Sequence, residues 1–430
     1  MQETTLEEKI GRPLFHTTRR FYLFLGILVL GVVWFAFAWI VQLRTGLVVT
    51  GMRDIPGGAP WGIYLSNFIF YIGIAHAGIA IAAGIRLLRL RDYIPIGRMS
   101  ELLTVFGLMM AGLCVLLDLG RPDRVFNVLR YYPQRLASSP LVWDITAITT
   151  YLVISITYMY TELREDLARF AERVRWTRLY WLLLVGYEPE EREQIDRIIW
   201  WASIFILPIM VMVHSTVAWI FGLQVARPGW YSAILAPYFL LGALLSGLAA
   251  AVLVAGIHRW ALGWQDLIKE KVFRGLGLVL SWFTILYIYF LLSEFLTVKF
   301  AGPLGELEVS ILWTHGKYAW PYWLQIGALV AAFVIFFINR VFPKTFSVGS
   351  TVFAAALVVV TLWVTRFLIM VPPLIRPYLP YPTGNYTPTW VEWSLVGGTF
   401  VLMALFYMLF SRFFPIVSLS EMERAAEEEE

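Results

Sequence analysis

The residues of this sequence with the most potential for chemistry are polar side chains embedded in long apolar segments. They are Asn67, His76, Asp118, Asp144, His214, Glu294 and Arg366. Ionisable groups are costly inside a bilayer, so they usually mark a function there. Carboxylates and imidazoles can relay protons, and an amide can hydrogen-bond a polar ligand. We therefore predict a proton-linked reaction within the membrane.

Ten apolar segments must position these groups, and each is about as long as a bilayer-spanning helix, which takes about 20 residues. They are Phe21–Leu43, Trp61–Ile85, Ser100–Leu119, Leu141–Thr161, Ile198–Gly222, Ser232–Ile257, Phe273–Thr297, Trp320–Arg340, Ser347–Thr365 and Trp393–Phe414. Hydrophobic residues make up 59% of the chain, and its mean hydropathy is +0.69. We predict an all-α polytopic membrane protein. The net charge of +4 does not suggest a nucleic-acid partner.

The distribution of Lys and Arg predicts that both termini lie inside, because most of these residues then face the cytoplasm. Predicted cytoplasmic segments are 1–20, a charged loop at 162–197 that is expected to form amphipathic helices on the surface, and an acidic tail at 415–430, in which the run Glu427–Glu430 is expected to be solvated. The loop after the third helix is an exception, because it places Arg121, Arg124, Arg130 and Arg135 outside. These arginines could pair with nearby aspartates or dock an acidic partner.

The rise of a helix, about 1.5 Å per residue, assigns a depth to each polar group. Asp118 and Asp144 fall near the outer ends of the third and fourth helices. His214 is expected about 12 Å from the outer end of the fifth helix, and His76 past the midpoint of the second. The inner half is expected to be poorer in polar groups. A quinone would suit such an outer cluster, because its ring and tail are apolar while its oxygens exchange protons.

Structural interpretations of the same residues remain open. Asp118 could end a helix and pair with Arg121, and the histidines could bond across helices. Glu294 and Arg366 could form an ion pair, and Asn67 could satisfy a neighbouring backbone. Bis-histidine haem ligation is disfavoured, because His76 and His214 are expected at depths about 10 Å apart. The single cysteine, Cys114, cannot hold an iron–sulfur cluster or form an intrachain disulfide.

Several longer motifs resemble the NrfD-type family, the membrane subunit of polysulfide-reductase-like complexes. They are Gly58–Asn67, His76–Gly78, Leu119–Pro122, Ser139–Asp144, Val213–Ser215 and Tyr386–Trp390. The resemblance extends from about Arg20 to about Glu421. It is closest to the ten-helix quinol-oxidising membrane subunits of alternative complex III and related menaquinol oxidoreductases.

This resemblance implies two adjacent four-helix bundles, at 58–225 (helices two to five, with the quinone site) and 226–375 (helices six to nine). The first helix (21–57) and an outer loop with the tenth helix (376–414) would flank them. It also implies a haem-free and metal-free quinone-binding subunit of a prokaryotic plasma membrane. Its partner would be a ferredoxin-like iron–sulfur subunit, with a molybdopterin-type or multihaem cytochrome subunit as a further candidate.

Site roles follow from the resemblance and from depth. The resemblance places functional residues on one polar face of the second helix (Asn67 and His76) and at Asp118 and Asp144. We predict proton-transferring roles for His76, Asp118 and Asp144. The predicted quinone contacts are Tyr64, Asn67, Tyr71, Arg121 and His214, and the candidate proton path consists of Glu294 and Arg366. No metal ligands are predicted.

The resulting hypothesis is a subunit that exchanges electrons between a menaquinol or ubiquinol pool and an iron–sulfur partner. The direction of electron flow stays open, as does coupling to proton translocation. Two other classes fit part of the pattern: a secondary transporter, because buried charge in repeated bundles suits one, and a passive membrane anchor of a reductase. An anchor would not need the polar cluster.

Overall fold

The computed structural model describes residues 5–56, 61–376 and 382–427. Within these ranges every regular element is a helix, which confirms the all-α prediction. Ten helices are long and apolar enough to cross a membrane, as predicted. They are α1 (Arg19–Thr45), α2 (Ile63–Leu87), α3 (Ile94–Asp118), α4 (Pro140–Phe170), α5 (Arg192–Gly222), α6 (Leu235–Ala261), α7 (Glu270–Ala301), α8 (Ala319–Val341), α9 (Val348–Ile375) and α10 (Trp390–Phe413).

Shorter helices lie between and beside these spans. The α-helical ones are Leu6–Phe15, Asn127–Arg130, Tyr132–Arg135, Thr177–Leu183, Leu304–Thr314 and Leu419–Glu427. The 3-10 turns are Leu47–Val49, Gly51–Asp54, Arg91–Tyr93, Pro122–Arg124, Pro189–Glu191 and Pro343–Thr345.

Local polar residues define where individual spans begin and end. The Thr18 hydroxyl accepts a hydrogen bond from the Phe21 amide at the start of α1, and α1 ends at Gly46, whose φ is +74°. At the start of α10 the Glu392 carboxylate accepts a hydrogen bond from the Thr389 amide at 2.8 Å. Such caps satisfy backbone groups that have no partner within the helix.

The ten spans pack as two groups of four helices with two helices at the side. α2, α3, α4 and α5 pack on one another, and so do α6, α7, α8 and α9. The buried helix α2 joins the groups, because it also contacts α6 and α9. α1 packs mainly on α10 and leaves most of its apolar surface exposed, as a helix facing lipid would.

Close helix contacts at α2 depend on glycine. A Cβ atom added to Gly78 would lie 2.1 Å from the Ser100 carbonyl oxygen of α3. A Cβ atom on Gly247 of α6 would lie 2.3 Å from the Ala77 Cβ. These small residues let the backbones approach where a larger side chain would separate them.

One expectation for the predicted inner side is wrong. The charged stretch at 162–197 does not lie on the surface throughout, because α4 continues to Phe170 and α5 begins at Arg192. Glu162 and Asp166 are consequently buried. The carboxyl-terminal segment is buried at residues 416–420 and exposed at 426–427, and residues 428–430 of the acidic run lie outside the described residues.

Both terminal segments meet at the same end of the molecule. Arg412, at the end of α10, donates hydrogen bonds to the Pro13 and Leu14 carbonyls of the N-terminal helix. Two ends of the first bundle can therefore be named by their residues: the Asp118 end and the Glu162 end, where the terminal segments lie. That the Glu162 end faces the cytoplasm stays a prediction.

Candidate functional site

Asn67 forms the centre of a hydrogen-bonded cluster on one side of α2. Its amide nitrogen donates to the Thr399 hydroxyl at 3.0 Å and to the Cys114 sulfur at 3.3 Å. Its carbonyl oxygen accepts from the Trp363 indole at 3.1 Å. Tyr71 shares the Thr399 hydroxyl at 3.0 Å. The amide nitrogen and the carbonyl oxygen of Asn67 therefore both have hydrogen-bond partners within the protein. These bonds hold α2, α3, α9 and α10 together.

Tyr64 lies about one helical turn from Asn67 on α2, toward the end of the bundle where Asp118 is found. The Tyr64 hydroxyl donates to Gln42 of α1 at 2.6 Å, and the Gln42 amide donates to the Leu117 carbonyl at 2.7 Å. Asp118, the last residue of α3, is near enough to act electrostatically on Tyr64. Its buried Oδ1 has no hydrogen-bond partner among the described residues. A buried polar atom without a partner is uncommon and is costly to leave unpaired.

Asp144 presents a second carboxylate of this kind. It lies in the first turns of α4, and its Oδ1 is also buried without a partner in the part of the chain described. The two carboxylates stand at either end of the 119–139 connection, so one connection positions both. This arrangement leaves acceptor atoms available to a ligand at the Asp118 end.

His76 and His214 contact each other inside the first bundle. Their ring centroids are 4.5 Å apart in an edge-to-face arrangement, and both residues are fully buried. The expected depth difference of about 10 Å is therefore wrong, and the start of α2 and the end of α5, from which the two depths are counted, do not lie at a common level. Direct ring contact leaves no space for a porphyrin between the rings, so this pair does not fit bis-histidine haem ligation as it stands.

The histidines leave nitrogens available for proton transfer. His76 Nδ1 is bonded to the Ile72 carbonyl, which can only accept, so Nδ1 carries the hydrogen and Nε2 is an acceptor. Nε2 of His76 and both ring nitrogens of His214 have no partner within the described ranges. The Tyr151 ring of α4 lies 5.1 Å from the His76 ring, and its hydroxyl is likewise unpartnered there.

Asn67 and His76 do not share a face of α2, although the sequence analysis expects both on one polar face of this helix. They are nine positions apart, which at about 100° per residue places them on opposite sides of the helix. The predicted quinone contacts on and around α2 therefore lie on two different sides of this helix. Tyr64, Asn67 and Tyr71 face α1, α3, α9 and α10, whereas His214 meets His76 within the first bundle.

Arg121 lies outside both clusters. It is exposed and forms a bidentate pair with Asp123, with distances of 2.9 and 2.8 Å. This guanidinium holds the pKa of the Asp123 carboxyl below its ordinary value. Of the open alternatives, the pair with Asp123 is the one formed, and Arg121 does not reach Asp118.

Glu294 and Arg366 occupy separate places in the second bundle, and among the described residues these two form no ion pair. Arg366 is buried over the Phe239 ring at 4.4 Å and donates to the Phe239 carbonyl at 3.2 Å. Glu294 lines a cavity of about 30 Å³ together with Tyr238, Gln325 and Thr365. Their assignment to a proton path stays a prediction.

A second buried polar group, missed in the sequence, lies at the Glu162 end. The Arg98 and Asp166 side chains are fully buried and pair at 2.6 Å. Arg98 also donates to the Pro415 and Val417 carbonyls, while Asp166 accepts from the Ser420 amide at 2.9 Å. Arg86 bridges Glu162 and Glu421. The expectation of a polar-poor inner half is wrong, because α4 extends beyond its apolar run and carries these carboxylates.

The described residues contain no group of three or more His, Cys, Asp or Glu side chains arranged to hold a metal ion. Gly58, Ala59 and Pro60 of the first motif lie outside the described residues. The Tyr386–Trp390 motif has a clear structural role, because the Tyr386 hydroxyl accepts from the Ile63 amide and donates to Glu392. It thereby fixes the start of α2 against α10.

Comparisons with known proteins agree with this architecture. The chain is 28% identical to a putative dimethyl sulfoxide reductase membrane subunit of Halobacterium salinarum, over 91% of each chain. It is 25% identical to an Hdr-like menaquinol oxidoreductase integral membrane subunit of Archaeoglobus fulgidus, over 88% of this chain and 89% of that one. It is 24% identical to a selenate reductase subunit of Mesobacillus selenatarsenatis, over 87% of this chain and 90% of that one.

The family described as "Polysulphide reductase, NrfD" matches residues 49–377, which include α2 to α9 and, among the candidate residues, Asn67, His76, Asp118, Asp144 and His214. With ten helices fit to cross a membrane, the chain is a multi-pass membrane protein that belongs to the NrfD family.

Proposed function

We propose that this chain is the quinone-reactive membrane subunit of an oxidoreductase complex in a prokaryotic plasma membrane. It exchanges electrons between a quinol, such as menaquinol, and an iron–sulfur subunit of the ferredoxin type. Relatives named as subunits of reductases or of a menaquinol oxidoreductase support this role. A molybdopterin-type or multihaem subunit is the candidate for the remainder of the complex.

The observation that carries the proposal is the unpaired state of the buried carboxylates at the Asp118 end. Asp118 and Asp144 each retain a buried oxygen without a partner among the described residues. Oxidation of a quinol releases two electrons and two protons, so its hydroxyls need acceptors at the moment of electron loss. Asp118 and Asp144 are proposed as these acceptors, and His76 Nε2 is proposed as a deeper one.

Side chains near the start of α2 would orient the quinol. The Tyr64 hydroxyl is held by Gln42, and Trp61 stacks on Trp230 with ring centroids 6.4 Å apart. Aromatic walls with a few fixed polar groups are typical of sites for flat apolar ligands. In this proposal the electrons leave for a cluster in the iron–sulfur partner.

Substitution of Asp118 tests this proposal. In the complex purified through this chain, Asp118→Asn should lower quinol-dependent reduction of an artificial acceptor by about 100-fold or more, because it removes a proton acceptor. Asp123→Asn is the matched control, since Asp123 is exposed on the same connection and pairs with Arg121. Wild-type turnover in Asp118→Asn would overturn the assigned role.

The two other classes predict different results in the same preparation. A transporter would take up a radiolabelled solute into proteoliposomes without needing a redox partner. A passive anchor would bind no quinone, and Asp118→Asn would leave reductase activity intact. Tightly bound quinone together with a co-purifying iron–sulfur subunit supports the proposed function over both.

A further inference from the structure

A short helix between α4 and α5 exposes an apolar side at the Glu162 end. This helix, Thr177–Leu183, lies against α10, because the Tyr180 hydroxyl donates to the carbonyl of the last α10 residue at 2.8 Å. Its outer side carries Arg178, Trp181 and Leu182, and all three are exposed. They are three and four positions apart, so they share one side of the helix. A cation beside exposed aromatic and aliphatic groups is typical of a helix in the surface layer of a bilayer.

Two guanidinium groups lie beside this helix without a carboxylate partner. Arg412, near the end of α10, lies over the Trp176 ring at 4.8 Å, and its Nη1 donates to two carbonyls of the N-terminal helix. Arg175 is near enough to Arg412 to act on it electrostatically. Among the described residues neither forms an ion pair, whereas Arg173 of the same connection pairs with Glu7 at 2.6 Å. Because two such cations repel each other, an anion between them would be bound favourably.

The start of α1 adds a hydroxyl group and further positive charge. Tyr22 also acts electrostatically on Arg412, and its side chain is 62% exposed. The Thr17 hydroxyl, 3.3 Å away, can donate to the Tyr22 oxygen, which leaves the Tyr22 hydrogen for another acceptor. Arg19 and Arg20 are exposed on the same turn. We name the polar set the Arg412 surface, and it consists of Tyr22, Arg175, Trp176 and Arg412.

An exposed apolar strip of α1 continues from the Arg412 surface into the span. Gly26, Val29 and Val33 follow Tyr22 at four, seven and eleven positions, a spacing that puts all four residues on one side of the helix. All four are exposed, and nothing lies within 4 Å of a Cβ atom added to Gly26. The missing side chain leaves a shallow groove one turn into the span. An acyl chain that lies there would remove apolar surface from contact with mobile lipid.

We propose that the Arg412 surface binds one anionic phospholipid from the leaflet at the Glu162 end. Its phosphate lies between the Arg175 and Arg412 guanidiniums and accepts a hydrogen bond from Tyr22, while one acyl chain follows the strip past Gly26. Guanidinium groups suit a phosphate, because they combine positive charge with several hydrogen-bond donors.

A lipid fits this surface better than a protein partner does. The unpaired cations lie where α1 and α10 leave the membrane, and the apolar strip runs from them into the span. A charged group at the membrane surface with a chain below it is the shape of a phospholipid. The bound lipid would join α1, which otherwise packs mainly on α10, to the connection between α4 and α5. The site does not depend on the quinone reaction.

Photolabelling with a lipid tests the proposal. The complex purified through this chain is placed in nanodiscs that contain a small fraction of phosphatidylglycerol with a diazirine on its acyl chain, close to the glycerol. After irradiation and digestion, mass spectrometry locates the label. We expect labelled peptides within residues 19–33 or 171–187. The same diazirine on phosphatidylcholine, which carries no net charge, should label these peptides at least about fivefold less.

Arg175→Gln should lower the phosphatidylglycerol labelling by about fivefold, because it removes one of the two cations that face the phosphate. Tyr22→Phe should act in the same direction, because it removes a donor. Arg44→Gln is the matched control, since it makes the same change of charge at an exposed residue near the other end of α1. It should be labelled as wild type is. Equal thermal unfolding midpoints of the three variants in lipid-free detergent would show that the fold is kept.

Equal labelling by the phosphatidylglycerol and phosphatidylcholine probes would overturn the proposal. Equal labelling of the Arg175→Gln and Arg44→Gln complexes would also overturn it, because only the total charge would then matter. If inorganic phosphate displaces the probe as well as unlabelled phosphatidylglycerol does, the site recognises a phosphate group alone and the lipid assignment is wrong. A protein partner on this surface would leave residues 171–187 unlabelled and cross-linked to another subunit, which would likewise contradict the proposal.

Discussion

At the scale of single residues, the state of each hydrogen bond separates structural polar groups from candidate reactive ones. Asn67 and His76 are both fully buried on α2. Asn67 has partners on three other helices, whereas His76 keeps Nε2 unpaired among the described residues. Sequence reasoning treats the two alike, because an amide and an imidazole in an apolar run carry the same signal until their neighbours are known.

Asn67→Ala should therefore act on stability. The change leaves the Trp363 indole and the Thr399 hydroxyl with fewer partners, and each buried unpaired group costs about 1–3 kcal/mol. We expect a lower thermal unfolding midpoint of the purified complex, with quinol turnover per folded complex retained. Unchanged thermal stability combined with lost turnover would instead indicate that Asn67 contacts the quinone.

At the scale of helices, the sequence predicts which segments span the membrane but not how they are set against each other. Apolar runs identify all ten spans, because backbone groups in lipid must be paired within a helix. Depths counted from the ends of those runs fail for His76 and His214. The depth of His76 is counted from the start of α2 and that of His214 from the end of α5, and the contact between the two rings requires these ends to lie at different levels.

The spacing of the buried polar residues on α4 is a signal that the sequence does carry. Tyr151, Ser155, Tyr158, Glu162 and Asp166 follow helical periodicity. A predicted span that ends at Thr161 hides this signal, because it divides the set between a helix and a loop. The burial of Glu162 depends on the packing of α3 on α4, which no local pattern specifies.

Contact between α2 and α6 gives a prediction at this scale. Gly247→Ala places a methyl group 2.3 Å from the Ala77 Cβ and 2.7 Å from the Ile74 carbonyl oxygen. Overpacking of this kind costs about 1–3 kcal/mol, so the thermal unfolding midpoint should fall. Gly84→Ala is the control within α2, because nothing lies within 4 Å of its added Cβ. It should be neutral or stabilising, since Ala favours a helix over Gly by about 0.5–1 kcal/mol.

Equal unfolding midpoints for the Gly247→Ala and Gly84→Ala complexes would contradict the close approach of α2 and α6. A shared decrease would point to a general effect of the substitution on helices and not to this contact.

At the scale of the whole molecule, the two ends of the first bundle differ in construction. The Asp118 end carries carboxylate oxygens without a partner among the described residues, and an exposed connection. The Glu162 end is closed by the carboxyl-terminal segment, which is held by an ion pair from Arg86 of α2 and by hydrogen bonds to Arg98 of α3 and Asp166 of α4. The proposed reaction site therefore lies at the end that the carboxyl-terminal segment leaves open.

Attachment of the carboxyl-terminal segment should depend on Arg98. Arg98→Gln leaves Asp166 without its charged partner in a fully buried position, and breaking such a pair costs about 3–5 kcal/mol. We expect faster limited proteolysis within residues 415–427. Arg169→Gln is the control, because Arg169 and its partner Glu423 are partly exposed and such pairs contribute less than about 1 kcal/mol. Equal proteolysis rates in the two variants would contradict this account of the segment.

The central claim is that a quinone reacts in the first bundle at the Asp118 end, and photolabelling tests it most directly. The purified complex is irradiated with an azido-quinone and digested, and the labelled peptides are identified by mass spectrometry. The account predicts labelling of peptides that contain the Asp118 end of α2, α3 or α4, and competition by unlabelled quinol. Labelling confined to α6–α9 or to a partner subunit would contradict it.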